Sequence, residues 1–128
     1  MLFTILIGIM ELSRVLHYWN TATEATRLGA RLAVVCNQNA AAVKTKMQNM
    51  LGILNSSNIS VQYIDKDGKS CDLDSSCRSV TVSISGVTVS TLAPLVPLNI
   101  AMPSFSTTLP RESLSSDINP GNHNPDCD

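Results

Sequence analysis

Apolar and polar positions alternate along this chain with two different periods, and the change of period divides it. Met1 to Cys36 carries the helical period and contains no Pro. Its first ten residues are almost wholly apolar, interrupted by Thr4 and Gly8. From Glu11 onward charges appear, while apolar or small residues recur at Leu12, Val15, Leu16, Trp19, Ala22, Ala25, Leu28, Gly29, Leu32, Ala33 and Cys36. That spacing predicts one continuous helix. At about 1.5 Å per residue it would be roughly 54 Å long, more than a small core can cover. A second helix is expected over Ala40–Leu54, where Val43, Met47, Met50, Leu51 and Leu54 form an apolar stripe. A core face is a better account of the stripe than a pliable Met-rich groove.

Beyond Asn55 the period becomes two. Ile59 to Tyr63 alternates cleanly and reads as a first strand. Val80, Val82 and Ile84 alternate with Thr81, Ser83 and Ser85 in a second. Gly86 shifts the phase to Val87 and Val89, which predicts a bulge or bend there. Leu92–Leu98 is apolar but holds Pro94 and Pro97, so it reads as a short turn of helix or a packed elbow. Asn99–Leu109 reads as a third strand, placed at an edge or bulged because of Pro103. Ser113–Asp128 is rich in Ser, Asn, Pro, Gly and Asp, a tail expected to be loose unless Cys127 pins it. The fold class is therefore α+β, in the order α-α-β-β-β, with the long helix packed on a three-stranded antiparallel sheet.

Composition sharpens this picture. The chain has 128 residues and a formal net charge of -1, so one small domain is expected, and no basic block suggests nucleic acid. Met1–Met10 is half of what a bilayer span needs, about 20 apolar residues. A membrane or filament helix is still favoured over a plain core helix. A signal peptide fits less well, since no basic n-region and no A-x-A site precede the polar part. The four cysteines, Cys36, Cys71, Cys77 and Cys127, suit a disulfide-stapled domain in an oxidising compartment. The spacing of Cys71 and Cys77 does not match a zinc pair. Three pairings are open; Cys71–Cys77 with Cys36–Cys127 is favoured, because the first closes a short loop and the second ties the tail to the main helix.

Candidate chemistry is sparse. His17 sits beside Tyr18 and Trp19, a grouping typical of a membrane–water boundary, and His123 lies in the tail. No nucleophile elbow, phosphate loop or dinucleotide fingerprint occurs, and Arg111–Glu112 reads as an exposed ion pair. Asp65-Lys66-Asp67-Gly68 opens like a calcium loop, but Lys69 and Ser70 stand where a ligand and a Gly are required, so it is read as a turn. Asn55 and Asn58 begin N-x-S sequons and are likewise read as turn residues. Neither a cofactor nor a small-molecule substrate is expected. Two features of the long helix have physical meaning. Ala25, Gly29 and Ala33 form a small-residue ridge that permits close helix packing, within the chain in the favoured reading and between subunits in the other. Glu11 ends the apolar run and needs a partner. Arg14, one turn on, is favoured over a positive group on a neighbouring subunit, where Glu11 would set subunit register.

The run GIMELSRVLHYWNTATEATRLGARLAVVC resembles the N-terminal helix of the TadE-like proteins, minor pilins or pseudopilins of the bacterial tight-adherence (Tad, Flp-type) pilus system. NISVQY, the C-x5-C loop running into VTVSISGVTV, LAPLVPL and PSFSTTLPRES agree with it, so the resemblance covers about Leu2 to Glu112. It implies a non-catalytic pilus-assembly protein. The partial membrane anchor would span residues 1–16, a pilin-like periplasmic domain 17–112, and a polar tail 113–128. Its implied partners are the inner membrane, pilins and other pilus-assembly proteins, with incorporation in an extracellular pilus as one fate. Glu11 matches the glutamate at the far end of the family's hydrophobic segment. The family's basic leader, prepilin-peptidase site and first half of the membrane helix do not stand in this sequence, so no processing site is assigned. The rivals are a secreted or periplasmic disulfide-stapled binding or adhesion domain, and a hydrolase, for which the sequence offers no support.

Overall fold

The computed structural model describes residues 1–72, 76–92 and 97–128. Helix α1 runs over Leu2–Val35, about 51 Å of unbroken helix. Its buried residues are Val15, Ala22, Ala25, Thr26, Gly29, Ala30, Ala33 and Val34, so its packed part begins only in the fourth turn. Small residues dominate that face, which lets the helix lie close on what it covers.

Helix α2, Ala41–Met50, lies against α1. It is shorter than the apolar stripe suggests, because the backbone turns extended at Leu51 ahead of Gly52. Val43, Met47, Leu51 and Leu54 still reach the core, whereas Met50 faces outward. A single 3-10 turn, Ser56–Asn58, follows. Asn58 does more there than end a helix: its side-chain amide donates to the carbonyls of Ser85 (3.1 Å) and Gly86 (3.2 Å). The end of the α2 region is thereby tied to the point where the second strand leaves the sheet.

Strands β1 (Ile59–Asp65), β2 (Cys77–Ile84) and β5 (Phe105–Pro110) form one antiparallel sheet in the order β1-β2-β5. Val61 and Thr107 flank Val82, and Tyr63 and Leu109 flank Val80, on the face turned to α1 and α2. The other face carries Ser60, Gln62, Thr81, Ser83, Ser106 and Thr108, with the Thr81 and Thr108 hydroxyls 2.8 Å apart. Alternation in sequence therefore maps onto one packed and one wet face, as in an ordinary half-buried sheet.

Between β2 and β5 the chain makes an excursion. Gly86 adopts φ +68°, the left-handed region that glycine enters without penalty. Strands β3 (Thr88–Ser90) and β4 (Asn99–Ala101) then pair as a separate two-stranded ribbon. The stretch read as one third strand is thus two strands in two sheets, divided around Pro103. Proline has no N–H to offer a ladder, and the chain changes partners there. The elbow expected at Leu92–Leu98 falls largely on residues 93–96, outside the described residues.

The C-terminal segment is ordered. Strands β6 (Asp117–Asn119) and β7 (Asn122–His123) pair, and a 3-10 turn covers Pro125–Cys127. This segment closes the C-terminal end of α1, where orphan carbonyls need donors. The Leu114 amide donates to Val34 O (3.1 Å), and the Ser115 amide and Ser113 hydroxyl donate to Val35 O (2.9 and 3.0 Å). Asn37 and Ser116 exchange reciprocal amide-to-side-chain bonds. Leu114 takes φ +48° to place its side chain in the core, where it is fully buried.

Candidate functional site: the apolar helix end and its polar collar

The first turns of α1 project from the body. Met1, Leu2, Phe3, Ile5, Leu6, Ile7, Ile9 and Met10 are each at least 43 % exposed, and no residue before Val15 is buried. Fully burying one such side chain is worth about 1.5–3 kcal/mol, so covering the open part of these eight is worth on the order of 10 kcal/mol. That is comparable with the whole stability of a small domain. A surface of this size marks an interaction site. One 18-residue window of α1 is apolar enough to cross a membrane, and only 6 % of it is buried.

A polar collar ends this apolar stretch. Glu11 Oε2 accepts from Arg14 Nη2 at 2.8 Å and from Nε at 3.2 Å. The same carboxylate reaches across to the ribbon: Glu11 Oε1 accepts from the Leu92 amide at 2.7 Å, while Arg14 also donates to the Ser90 carbonyl. Arg14 lies 5.7 Å over the Tyr18 ring. The local pair with Arg14 is thus present, and the bonds to Ser90 and Leu92 are additional. Spacing of three residues on a helix signals the first; nothing in the sequence signals the second, since it depends on where the ribbon folds back.

Ala25, Gly29 and Ala33 are all buried within the chain. A Cβ on Gly29 would strike Met47 Sδ and come within 3.1 Å of Met47 Cγ and 3.2 Å of Val82 Cγ1. The ridge therefore admits α2 and β2. Thr26, a buried polar residue, donates to Thr23 O (2.7 Å) and meets the Thr107 hydroxyl at 3.0 Å, fastening β5 to α1. Trp19 keeps its indole N–H buried with no partner among the described residues.

The disulfides are Cys36–Cys127 and Cys71–Cys77, with sequence separations of 91 and 6. The first binds the end of α1 to the C-terminal turn; the second closes the β1–β2 loop. Lys46 pairs with Asp126 at 3.0 Å beside the first. His123 bridges Asp117 through Nδ1 and Asp128 through Nε2, both at 3.0 Å. The bond to Asp117 raises its pKa above the usual 6.5, desolvation opposes that, and Asp128 adds to the rise. His17 is exposed on α1, away from this cluster in sequence and element.

The remaining clefts are open and shallow in chemistry. One, of about 410 Å³, is lined by Cys77, Arg78, Pro110, Arg111 and Glu112. No group of three or more His, Cys, Asp or Glu able to hold a metal occurs among the described residues.

Fold and site together define a class: a small disulfide-stapled α+β head on a long helix whose apolar end stands outside the head. Residues 1–31 of the chain match the family model described as TadE-like protein, which supports a TadE-like protein of the Tad pilus system. The match covers most of α1, including the part packed in the head, and stops before α2 and the sheet. It points to a Tad pilus-related role and to pilus components in general as partners, and with the apolar helix it points to membrane anchoring. No curated protein and no solved structure matches the chain.

Proposed function

We propose that this chain is a minor pilin, or pseudopilin, that takes part in assembly of a Tad-type pilus and in the surface adherence such pili support. Met1–Met10 anchors it in the bacterial inner membrane, and the stapled head stands on the periplasmic side, with passage into an extracellular pilus as a further fate. It acts through helix packing and has no catalytic step. The observation that carries this reading is the run of eight large apolar side chains left open at the start of α1. Glu11 is the candidate for subunit register: its bonds to Arg14 and Leu92 fix how far along the helix the head begins, and hence how deep a subunit sits among its neighbours.

The test is fractionation of cells expressing the natural gene, with its start codon mapped. Recovery in membranes or in sheared pili is expected, together with loss of piliation when the gene is deleted. Recovery in the soluble periplasm or the medium as a monomer, with piliation intact, refutes the proposal and favours a secreted binding or adhesion domain.

A further inference from the structure

We propose that the β3–β4 ribbon is a second membrane contact: Leu92, Pro97 and Leu98 sit in the headgroup–acyl boundary of the bilayer beside the helix that enters it. The inference rests on the reading of Met1–Met10 as a membrane anchor and adds a site to it.

Four observations converge on this face. Leu92 and Leu98 are 75 % and 54 % exposed, large apolar side chains left open at the end of the ribbon. The Leu92 amide is held on Glu11 Oε1 at 2.7 Å, which sets this end of the ribbon at the level where α1 becomes wholly apolar and open. This end of the ribbon therefore lies beside the open apolar end of α1. Charge agrees: between Arg78 and Arg111 the sequence has no Asp, Glu, Lys, Arg or His. Glu11 and Arg14, the charged groups bonded to this end of the ribbon, are paired with each other.

The backbone agrees as well. Unsatisfied N–H groups are what make irregular backbone costly in lipid. Here Leu92 N–H is taken by Glu11, Leu98 N–H donates to Thr91 Oγ1 at 2.9 Å, Thr91 N–H donates to Leu98 O at 2.9 Å, and Pro97 has none. The described amides at this end of the ribbon, those of Thr91, Leu92 and Leu98, therefore each have an acceptor. His17, Tyr18 and Trp19 lie one to two turns further along α1, on the water side, where amphipathic rings favour the boundary.

The full chain, reconstituted in phosphatidylethanolamine–phosphatidylglycerol vesicles with brominated acyl chains, tests this by tryptophan quenching. Trp19→Phe removes the native signal. In that background Phe3→Trp reports the helix, and Leu98→Trp, or Leu92→Trp as a second probe, reports the ribbon. Both ribbon sites are exposed, so the fold should tolerate them, and the Cys36–Cys127 disulfide and circular dichroism check it. The expected result is a blue shift and bromine quenching at both the helix and ribbon positions, with less depth at the ribbon. Quenching of Phe3→Trp with none at either ribbon probe overturns the second contact and leaves the anchor standing. Quenching at neither position overturns both. A ribbon probe that is blue-shifted, unquenched and cross-linkable to another copy assigns this face to subunit contact and overturns the lipid site.

Discussion

Gly29→Ala is the sharpest single perturbation of the head, because two physical effects oppose each other there. In a helix interior the change from Gly to Ala is worth about 1 kcal/mol in favour of folding. Against it stands the packing: the new methyl would strike Met47 Sδ and press Met47 Cγ and Val82 Cγ1, on side chains that are completely buried. Overfilling a packed core costs about 1–3 kcal/mol. The net expectation is a destabilisation of about 0–2 kcal/mol. A double-mutant cycle with Met47→Ala separates the terms. Met47→Ala alone should cost about 2–5 kcal/mol. In the Gly29→Ala background it should cost less, because the added methyl occupies part of the vacated space. The coupling should be about 1–2 kcal/mol, within the range for contacting residues. Urea or thermal unfolding of the four proteins in mild detergent measures it. If Gly29→Ala stabilises the chain by the full helix-propensity gain, with no coupling to Met47, the ridge does not meet α2 in solution. Packing between subunits would then be the better account of Ala25, Gly29 and Ala33.

Other consequences follow from the staples, the C-terminal cluster and the collar. Replacing Cys36 and Cys127 by Ser should cost more than replacing Cys71 and Cys77. Loop entropy gives about 4.6 kcal/mol for a separation of 91 and about 2 kcal/mol for a separation of 6. Equal losses in unfolding experiments would show that the C-terminal wrap adds little. His123 has a raised pKa in the folded state, so its contribution is complete below about pH 6.5 and fades as pH climbs through the raised value. Asp117 and Asp128 face it, and Lys46–Asp126 stands on the neighbouring turn. Hydrogen exchange of Asn122–Asn124, corrected for intrinsic rates, should therefore show less protection at pH 8 than at pH 6, and His123→Gln should remove the difference. An NMR titration placing His123 at or below 6.5 would contradict this. Glu11→Ala should speed exchange of the Leu92 amide while leaving β1 and β2 protected; an unchanged Leu92 rate means the ribbon is not held by Glu11.

Much of this molecule is legible in the chain, for reasons that differ by element. Helix α1 and strands β1 and β2 are plain because their patterns persist over many residues and no competing signal interrupts them. The ribbon is hidden because three-residue strands carry too little periodicity, and only Gly86 and Pro103 mark its limits. Met50 belongs to the apolar stripe by spacing yet faces outward, since α2 ends at that point. Sequence spacing relates Glu11 to Arg14, which share a helix; its bond to Leu92 joins residues 81 apart and requires the fold to be known. The tail is the clearest case of context overriding composition. Its Ser, Asn and Asp residues look like solvent-facing loop, but they supply the donors that the end of α1 lacks, and Cys127 holds them there.

The account stands on the first turns of α1 being covered by lipid. Flotation of the purified full chain with phosphatidylethanolamine–phosphatidylglycerol vesicles on a density gradient tests that most directly, with Ile5→Lys/Ile9→Lys as the matched variant. Each Lys near the middle of a span costs about 2.5–3.5 kcal/mol. The native chain should rise with the vesicles, and the variant should remain at the bottom with its head folded. A native chain that stays at the bottom as a stable monomer would contradict the account.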